Sequence, residues 1–397
     1  MMKIEQINVK NFKVFNNMVV KNLGRLNVFV GPNGSGKTTF FKIFSFLSDA
    51  LRNNVSVAIN REGGFKEVVS RSASVDGLIE IEVKFRNTIQ EKSPLITYEL
   101  KIGNINKSTY IDTEILKYRR GQRGRPWHFL EFHNGQGEAI QNEKDYGKKE
   151  AKEEREKQTL DSPDILAIKG LGQFQRFKAI SSFRKLLEGW VVSNLQNDAL
   201  RKIGDVGVDE HLSATGENVA QVAQFIHDNY PDIFQKILQK MTERVPGIEK
   251  VEAIQNEAGQ ILLKFKDNPF IDPFISRYVS DGTIKMFAYL LLLYDPKPYP
   301  LLCIEEPENY LYPELLRGLA DELREYASRG GQVFVSTHSP EFVNALDIKE
   351  LFFLNKVNGQ TTIYPAINDS QLKDLFENGN ELGWLWQHGF IKGVQKI

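Results

Sequence analysis

Cysteine is almost missing from this chain of 397 residues: Cys303 stands alone, so no internal disulfide can staple the fold. A lone thiol in an apolar run reads as a small core side chain and fits a reducing cytosol. Net charge is missing as well, because 51 basic and 51 acidic side chains cancel. That excludes attraction of the whole chain to nucleic acid and leaves only a local basic patch to supply it. Long apolar runs are absent: the longest, Met286 to Leu293, falls far short of the ~20 residues of a membrane span. The opening, Lys3 to Val9, alternates polar and apolar residues where an export signal would be basic and then apolar. A cytoplasmic protein with no membrane segment is expected, and no internal repeat of fixed period is visible.

What is present divides the chain into four stretches. Residues 1–140 read as strands with one helix: Ile4 to Val9, Asn11 to Val20 and Leu26 to Val30, then a helix from Thr38 to Leu51. Between Leu78 and Phe85, Ile79, Ile81, Val83 and Phe85 alternate with Glu80, Glu82 and Lys84, the pattern of a half-buried strand. Tyr98 to Ile102, Tyr110 to Tyr118 and Trp127 to Phe132 continue an antiparallel meander. The loop before Trp127 carries Arg119, Arg120, Arg123 and Arg125. It reads either as a solvated hairpin tip or as a contact for a phosphate backbone.

Residues 141–160 are dense in Lys and Glu, which suggests an exposed connector. Residues 161–270 read as a helical lobe. Phe174, Phe177, Ile180, Phe183, Leu187 and Trp190 recur at helical spacing, more helices follow at Gly216 to Asp228 and Ile233 to Val245, and a hairpin turns at Glu257-Ala258-Gly259. Residues 271–397 alternate helices with apolar strands at Leu301 to Ile304, Gln332 to Ser336 and Leu351 to Leu354.

Chemistry gathers at strand ends. Gly31-Pro32-Asn33-Gly34-Ser35-Gly36-Lys37-Thr38 fits G-x-x-x-x-G-K-[ST] and lies between a predicted strand and a predicted helix. Glycines there let backbone N–H groups converge on phosphates, the helix start adds its positive end, Lys37 neutralises the β/γ oxygens and Thr38 suits Mg²⁺. Asn33, Gly34, Ser35, Gly36, Lys37, Thr38 and Thr39 are therefore candidate ATP ligands. The strand Leu301 to Ile304 ends in Glu305 and Glu306. Glu305 is the candidate partner of the metal, and Glu306 the group that orients or deprotonates a hydrolytic water. Val333 to Ser336 likewise delivers His338, a candidate γ-phosphate sensor, although a histidine after a strand is often structural. Tyr278-Val279-Ser280-Asp281-Gly282-Thr283 opens another helix. Ser280 and Gly282 could form a second anion site there, or Ser280 could be plain helix capping.

These elements, in this order, resemble the ATP-binding-cassette ATPases of the SMC, RecF and OLD group, and more closely their short prokaryotic "AAA family ATPase" relatives. Asn11 to Phe15 matches the opening segment, Ser280 to Thr283 the signature, Glu305 to Asn309 the Walker B stretch and Thr337 to Pro340 the switch region. The resemblance implies an α/β fold: an ABC-type P-loop ATPase head with a mixed β-sheet core, an antiparallel β-subdomain and an inserted helical lobe. It also implies a homodimer or higher homo-oligomer in which Ser280 and Gly282 of one copy reach the γ-phosphate held by another. Gln173, with Gln175 as its rival, occupies the place of a magnesium-sensing glutamine. Tyr310, Leu311, Tyr312 and Pro313 depart from the glycine, leucine and histidine-proline pair that relatives often carry, which puts the dimer geometry in question.

The insert lacks sustained heptads and is too short for the long arms of SMC-type proteins. The few dozen residues beyond His338 leave no room for an appended nuclease of usual size. The resemblance then suggests a nucleotide-driven switch in anti-phage defence that controls a separately encoded effector such as a nuclease. The alternative is a RecF-like DNA-binding ATPase of recombination and repair.

Overall fold

The computed structural model describes residues 3–73, 77–87, 93–119, 125–145, 148, 151–205, 207–268 and 270–391. Arg120 and Arg123 of the basic loop lie outside them.

A six-stranded sheet organises the molecule, in the order Trp190–Ser193, Leu301–Glu305, Val333–Thr337, Leu26–Val30, Leu351–Val357, Gln360–Pro365. The first five run parallel and the last is antiparallel. Leu26–Val30 and Val333–Thr337 are buried at every residue, as parallel strands covered on both faces must be. Their side chains alternate between two cores. Phe29, Leu301, Cys303, Phe334 and Phe352 face one core, and Val28, Val30, Leu302, Ile304 and Val335 face the other.

Helix Lys37–Arg52 covers the first face with Phe40, Phe41 and Phe44; the Phe29 and Phe40 rings lie 4.5 Å apart, and those of Phe44 and Phe334 5.3 Å. Helix Asp281–Leu293 covers the other face and is buried from Thr283 to Leu293, which explains why its sequence is apolar all round from Met286 onward.

An eight-stranded antiparallel sheet is packed into the first core, in the order Phe15–Lys21, Lys3–Phe12, Ile79–Arg86, Leu95–Ile105, Ser108–Tyr118, Trp127–His133, Gln136–Ile140, Arg155–Thr159. In Ile79–Arg86 the odd-numbered residues are buried, and Glu80 on the wet face meets Lys10 and Lys101. The charged stretch expected as a connector contributes the last strand. Arg155–Thr159 pairs with Gln136–Ile140, and ion pairs from Arg155 to Glu131 and Glu153 stand in for apolar contacts. Charged side chains suit an edge strand, because they discourage further pairing.

Two other expectations are corrected. The aromatic stripe from Phe174 to Trp190 is not one helix: the helix is Lys178–Glu188, Phe174 is exposed, and Trp190 opens an edge strand of the parallel sheet. Gly189 makes the break, where a Cβ would come within 2.7 Å of Pro300. The segment 161–270 is also less helical than expected. Gly204–Asp205, Ile248–Gln255 and Gln260–Asp267 form a small sheet that crosses its boundary to pair with Phe274–Ile275, with helices Val219–Asn229 and Pro231–Arg244 packed in the same core.

Candidate nucleotide site

Strand Leu26–Val30 lies inside the parallel sheet, so the chain leaving Val30 must turn in a crowded place. A Cβ on Gly31 would lie 2.7 Å from the Leu354 carbonyl oxygen and from Ser35 Oγ, so only glycine fits. Gly34 and Gly36 take φ of 76° and 103°, and Thr361 Oγ1 donates to the Ser35 carbonyl at 2.8 Å, tying the loop to the last strand. Lys37 is buried, and its Nζ donates to the carbonyls of Gly31 at 2.8 Å and Pro32 at 3.4 Å. Burial lowers its pKa, and the carboxylates of Glu306 and Glu308 pull it back up.

These features fit a phosphate group. The helix starts at Gly36 with no side-chain cap and no acid in its first turn, leaving its N–H groups for an anion. Ser35 Oγ is buried without a partner, and nothing lies within 4 Å of where a Cβ on Gly34 would be. Asn33 and Thr38 are exposed on the loop, and Thr39 is half-buried.

The neighbouring strand tips add the acids. Glu305 accepts a hydrogen bond from the Thr38 hydroxyl; burial raises its pKa, Glu306 adds to this, and Thr38 and Lys42 oppose it. One hydroxyl and one carboxylate side by side suit a magnesium ion that takes its other ligands from phosphate and water. Glu306 leaves the strand with φ of 44°, while its N–H still donates to the Ser336 carbonyl at 2.9 Å. Its Oε2 accepts from Asn309 Nδ2 at 3.2 Å, and its Oε1 lies 3.3 Å from His338 Nδ1. Glu308 shapes the switch: its Oε1 accepts from Thr337 Oγ1 and from the His338 N–H, both at 2.8 Å, while its buried Oε2 has no partner.

Ser280 caps helix Asp281–Leu293. Its Oγ accepts from the Thr283 N–H at 3.2 Å and lies 2.7 Å from Thr283 Oγ1. Arg201 clamps the approach, donating to the carbonyls of Ser276, Arg277 and Val279 and to Asp281 Oδ1. A Cβ on Gly282 would lie 3.0 Å from the Tyr310 carbonyl oxygen.

The structure thus brings Lys37, Thr38, Glu305, Glu306 and His338 together at the tips of neighbouring strands. Among the described residues, no hydrogen bond joins Ser280 or Gly282 to the loop of the same chain. Gln173 is exposed between helices Ala167–Leu171 and Lys178–Glu188, and no described hydrogen bond joins it or Gln175 to the loop. Sequence reasoning missed Arg201 and the bonds made by Glu308. For Glu308 a signal existed, since it lies in the acidic stretch after Glu306.

The profile of a family described as "AAA domain, putative AbiEii toxin, Type IV TA system" matches residues 26–344. The chain belongs to this AAA family. Among solved structures, the chain is similar to an Smc head bound to the C-winged helix domain of ScpA: 15% identity, TM-score 0.55, covering 91% of this chain and 97% of that one. It is also similar to an Smc head with an extended coiled coil bound to the C-terminal domain of ScpA, derived from Pyrococcus furiosus: 15% identity, TM-score 0.51, covering 96% and 100%. A comparison with curated proteins found no match. Family and fold together make this a P-loop protein of the AAA family with the fold of an Smc head. Among the described residues, no helix is long and apolar enough to cross a membrane.

Proposed function

We propose that this AAA protein binds ATP with Mg²⁺ at the Gly31–Thr38 loop and hydrolyses it in a site that a second copy completes. The observation that carries this reading is Glu306, aimed between Asn309 and His338 beside the buried Lys37. Lys37 exchanges the carbonyls of Gly31 and Pro32 for phosphate oxygens, and the open helix start donates its N–H groups to the same phosphates. Thr38 and Glu305 would hold the magnesium. When bound, that ion neutralises charge on the phosphate oxygens.

Glu306 takes a proton from the attacking water as the new bond to the γ-phosphorus forms. The bond to the bridging oxygen breaks, and ADP and phosphate leave. His338 stays against Glu306 and offers its other ring nitrogen to the γ-phosphate. Ser280 and Gly282 of a second copy close the far side, so ATP assembles the oligomer and hydrolysis releases it.

The setting we propose is a cytoplasmic switch in prokaryotic defence that controls a separately encoded effector. The family's description in terms of a toxin and a type IV toxin–antitoxin system supports it, as do solved Smc heads that carry a piece of a partner protein. The test compares phosphate release and assembled mass for the wild type and Glu306→Gln, with and without ATP. The variant should lose hydrolysis by about 10²- to 10⁴-fold and accumulate as an ATP-bound oligomer. Equal rates would remove Glu306 from its role, and no ATP-dependent assembly would overturn the switch. Stimulation of the wild-type rate by DNA, falling steeply with salt, would favour the recombination and repair reading instead.

A further inference from the structure

Lys285 has no place in the chemistry above, yet it is 3% exposed and sits between the two ends of the machinery. Its ammonium has three donors, and its hydrogen bond goes to the Asn309 carbonyl at 2.8 Å. The rings of Tyr289 and Tyr310 lie 5.8 and 5.6 Å away. Burial pushes its pKa down to about 8, against the pull of Glu308 and Glu306. Two other buried polar atoms of this neighbourhood, Tyr289 OH and Glu308 Oε2, have no hydrogen-bond partner. Such a cluster is expensive to bury, and apolar side chains of the same size would pack the helix more cheaply.

What the ammonium grips is a strained loop. Glu306 and Tyr310 both take left-handed φ, 44° and 67°, which residues with a Cβ hold only when their surroundings impose it. Asn309 lies between them and is engaged twice. Its carbonyl accepts from Lys285, and its side-chain amide donates to Glu306 Oε2 at 3.2 Å. Lys285 is itself one turn into the helix that Ser280 and Gly282 open, and Gly282 packs on the Tyr310 carbonyl. Two hydrogen bonds, both made by Asn309, therefore join Lys285 in the first turns of this helix to the carboxylate of the same chain's Glu306.

We propose that Lys285 is a positioning residue that links the Ser280–Gly282 end of its helix to Glu306 through Asn309, so that engagement of that end by a second copy's γ-phosphate sets the aim of this chain's own Glu306. The inference rests on the composite-site reading. It adds the route, Lys285 to Asn309 to Glu306, by which occupancy at that end of the helix reaches the base.

The test is a double-mutant cycle on the full chain with Lys285→Met, Asn309→Ala and the pair, following ATP affinity, ATP-dependent assembly, kcat and KM. Lys285→Met keeps the length of the side chain and removes its charge. Either single variant should keep ATP affinity and assembly within about twofold while kcat falls about tenfold to a hundredfold, the loss expected of a misaimed catalytic group. The pair should be no slower than the worse single variant, and the Hill coefficient for ATP should fall towards 1. Should Lys285→Met not fold, by circular dichroism, Lys285→Gln takes its place in the cycle with the same expected losses, and Lys285→Arg, which keeps the charge, must keep most of the wild-type kcat. A Lys285→Met protein with unchanged kcat beside an active wild type overturns the relay alone, as do losses that multiply in the pair. A wild type that neither hydrolyses ATP nor assembles overturns the composite-site reading and the relay with it.

Discussion

Two helix starts, at Gly36 and at Ser280, have the same dipole and the same four unpaired N–H groups, yet the molecule treats them in opposite ways. At Gly36 there is no side-chain cap, and a buried lysine rests on the carbonyls of its own loop. At Ser280 the hydroxyl is spent on Thr283, and Arg201 pins the preceding turn through four acceptors. The first is ready for an anion in a single chain. The second is satisfied by itself, and under the function proposed above it exchanges its cap for a phosphate delivered by a second copy. A third treatment appears near Gln173, where carboxylates of the β-rich lobe do the capping: Glu114 accepts from the N–H groups of Ala167 and Ile168, and Glu143 from that of Ala179.

The hardest blow to this contrast is Lys37→Ala. It should weaken ATP binding at least about a hundredfold, the scale of ~3 kcal/mol for charge-assisted bonds in a buried site, by isothermal titration calorimetry. Tight binding by this variant would mean that the open start is not the phosphate cradle.

A comparable effect, on stability, concerns the carboxylate caps. Burial pushes Glu114 and Glu143 up to a pKa of about 7, although the N–H groups they accept from pull the other way. Unfolded, each would titrate near 4.5. Between those values the folded chain holds more protons, so stability should fall as pH rises from about 4.5 to 7, by about 3 kcal/mol for Glu114 alone. Urea unfolding of the wild type and Glu114→Gln across that range checks this. The variant should show a flatter profile, and an equally steep one would clear Glu114.

Arg201→Ala comes next. Losing the clamp should cost about 2 kcal/mol in urea unfolding and slow ATP-dependent assembly, while ATP affinity in the single chain stays as it was. Ser280→Ala sharpens the comparison at its smallest scale. Stability should drop by about 1 kcal/mol, the usual loss of a helix cap, and assembly with ATP should fail although the single chain still binds nucleotide. Normal assembly of this variant would reduce Ser280 to capping alone.

Legibility in the sequence followed the distance over which each contact is made. The loop from Gly31 to Thr38 is local, and so are the acids after Leu301 and the histidine after Val333, because an apolar strand announces its own tip. The hydrogen bond from Arg201 to Asp281 spans 80 positions, that from Ala167 to Glu114 53, and that from Lys285 to Asn309 24. No periodicity marks such pairs. Arg155–Thr159 was hidden for another reason: a strand held by its ladder and by ion pairs carries no apolar alternation to read. Trp190 misled because its spacing continues the helix that Gly189 ends.

The sequence by itself determined the phosphate loop and the acidic strand tip, since each depends on residues within one turn or one strand of each other, and the family through the order in which such local motifs follow one another. Tertiary structure decided which side chains meet across elements: that Glu306 lies between His338 and Asn309, that Ser280 caps its own helix, and that Lys285 reaches the Asn309 carbonyl. Backbone geometry and hydrophobic periodicity are short-ranged and leave a trace along the chain. A polar contact between distant elements is settled only when the cores on both faces of the sheet have closed around it.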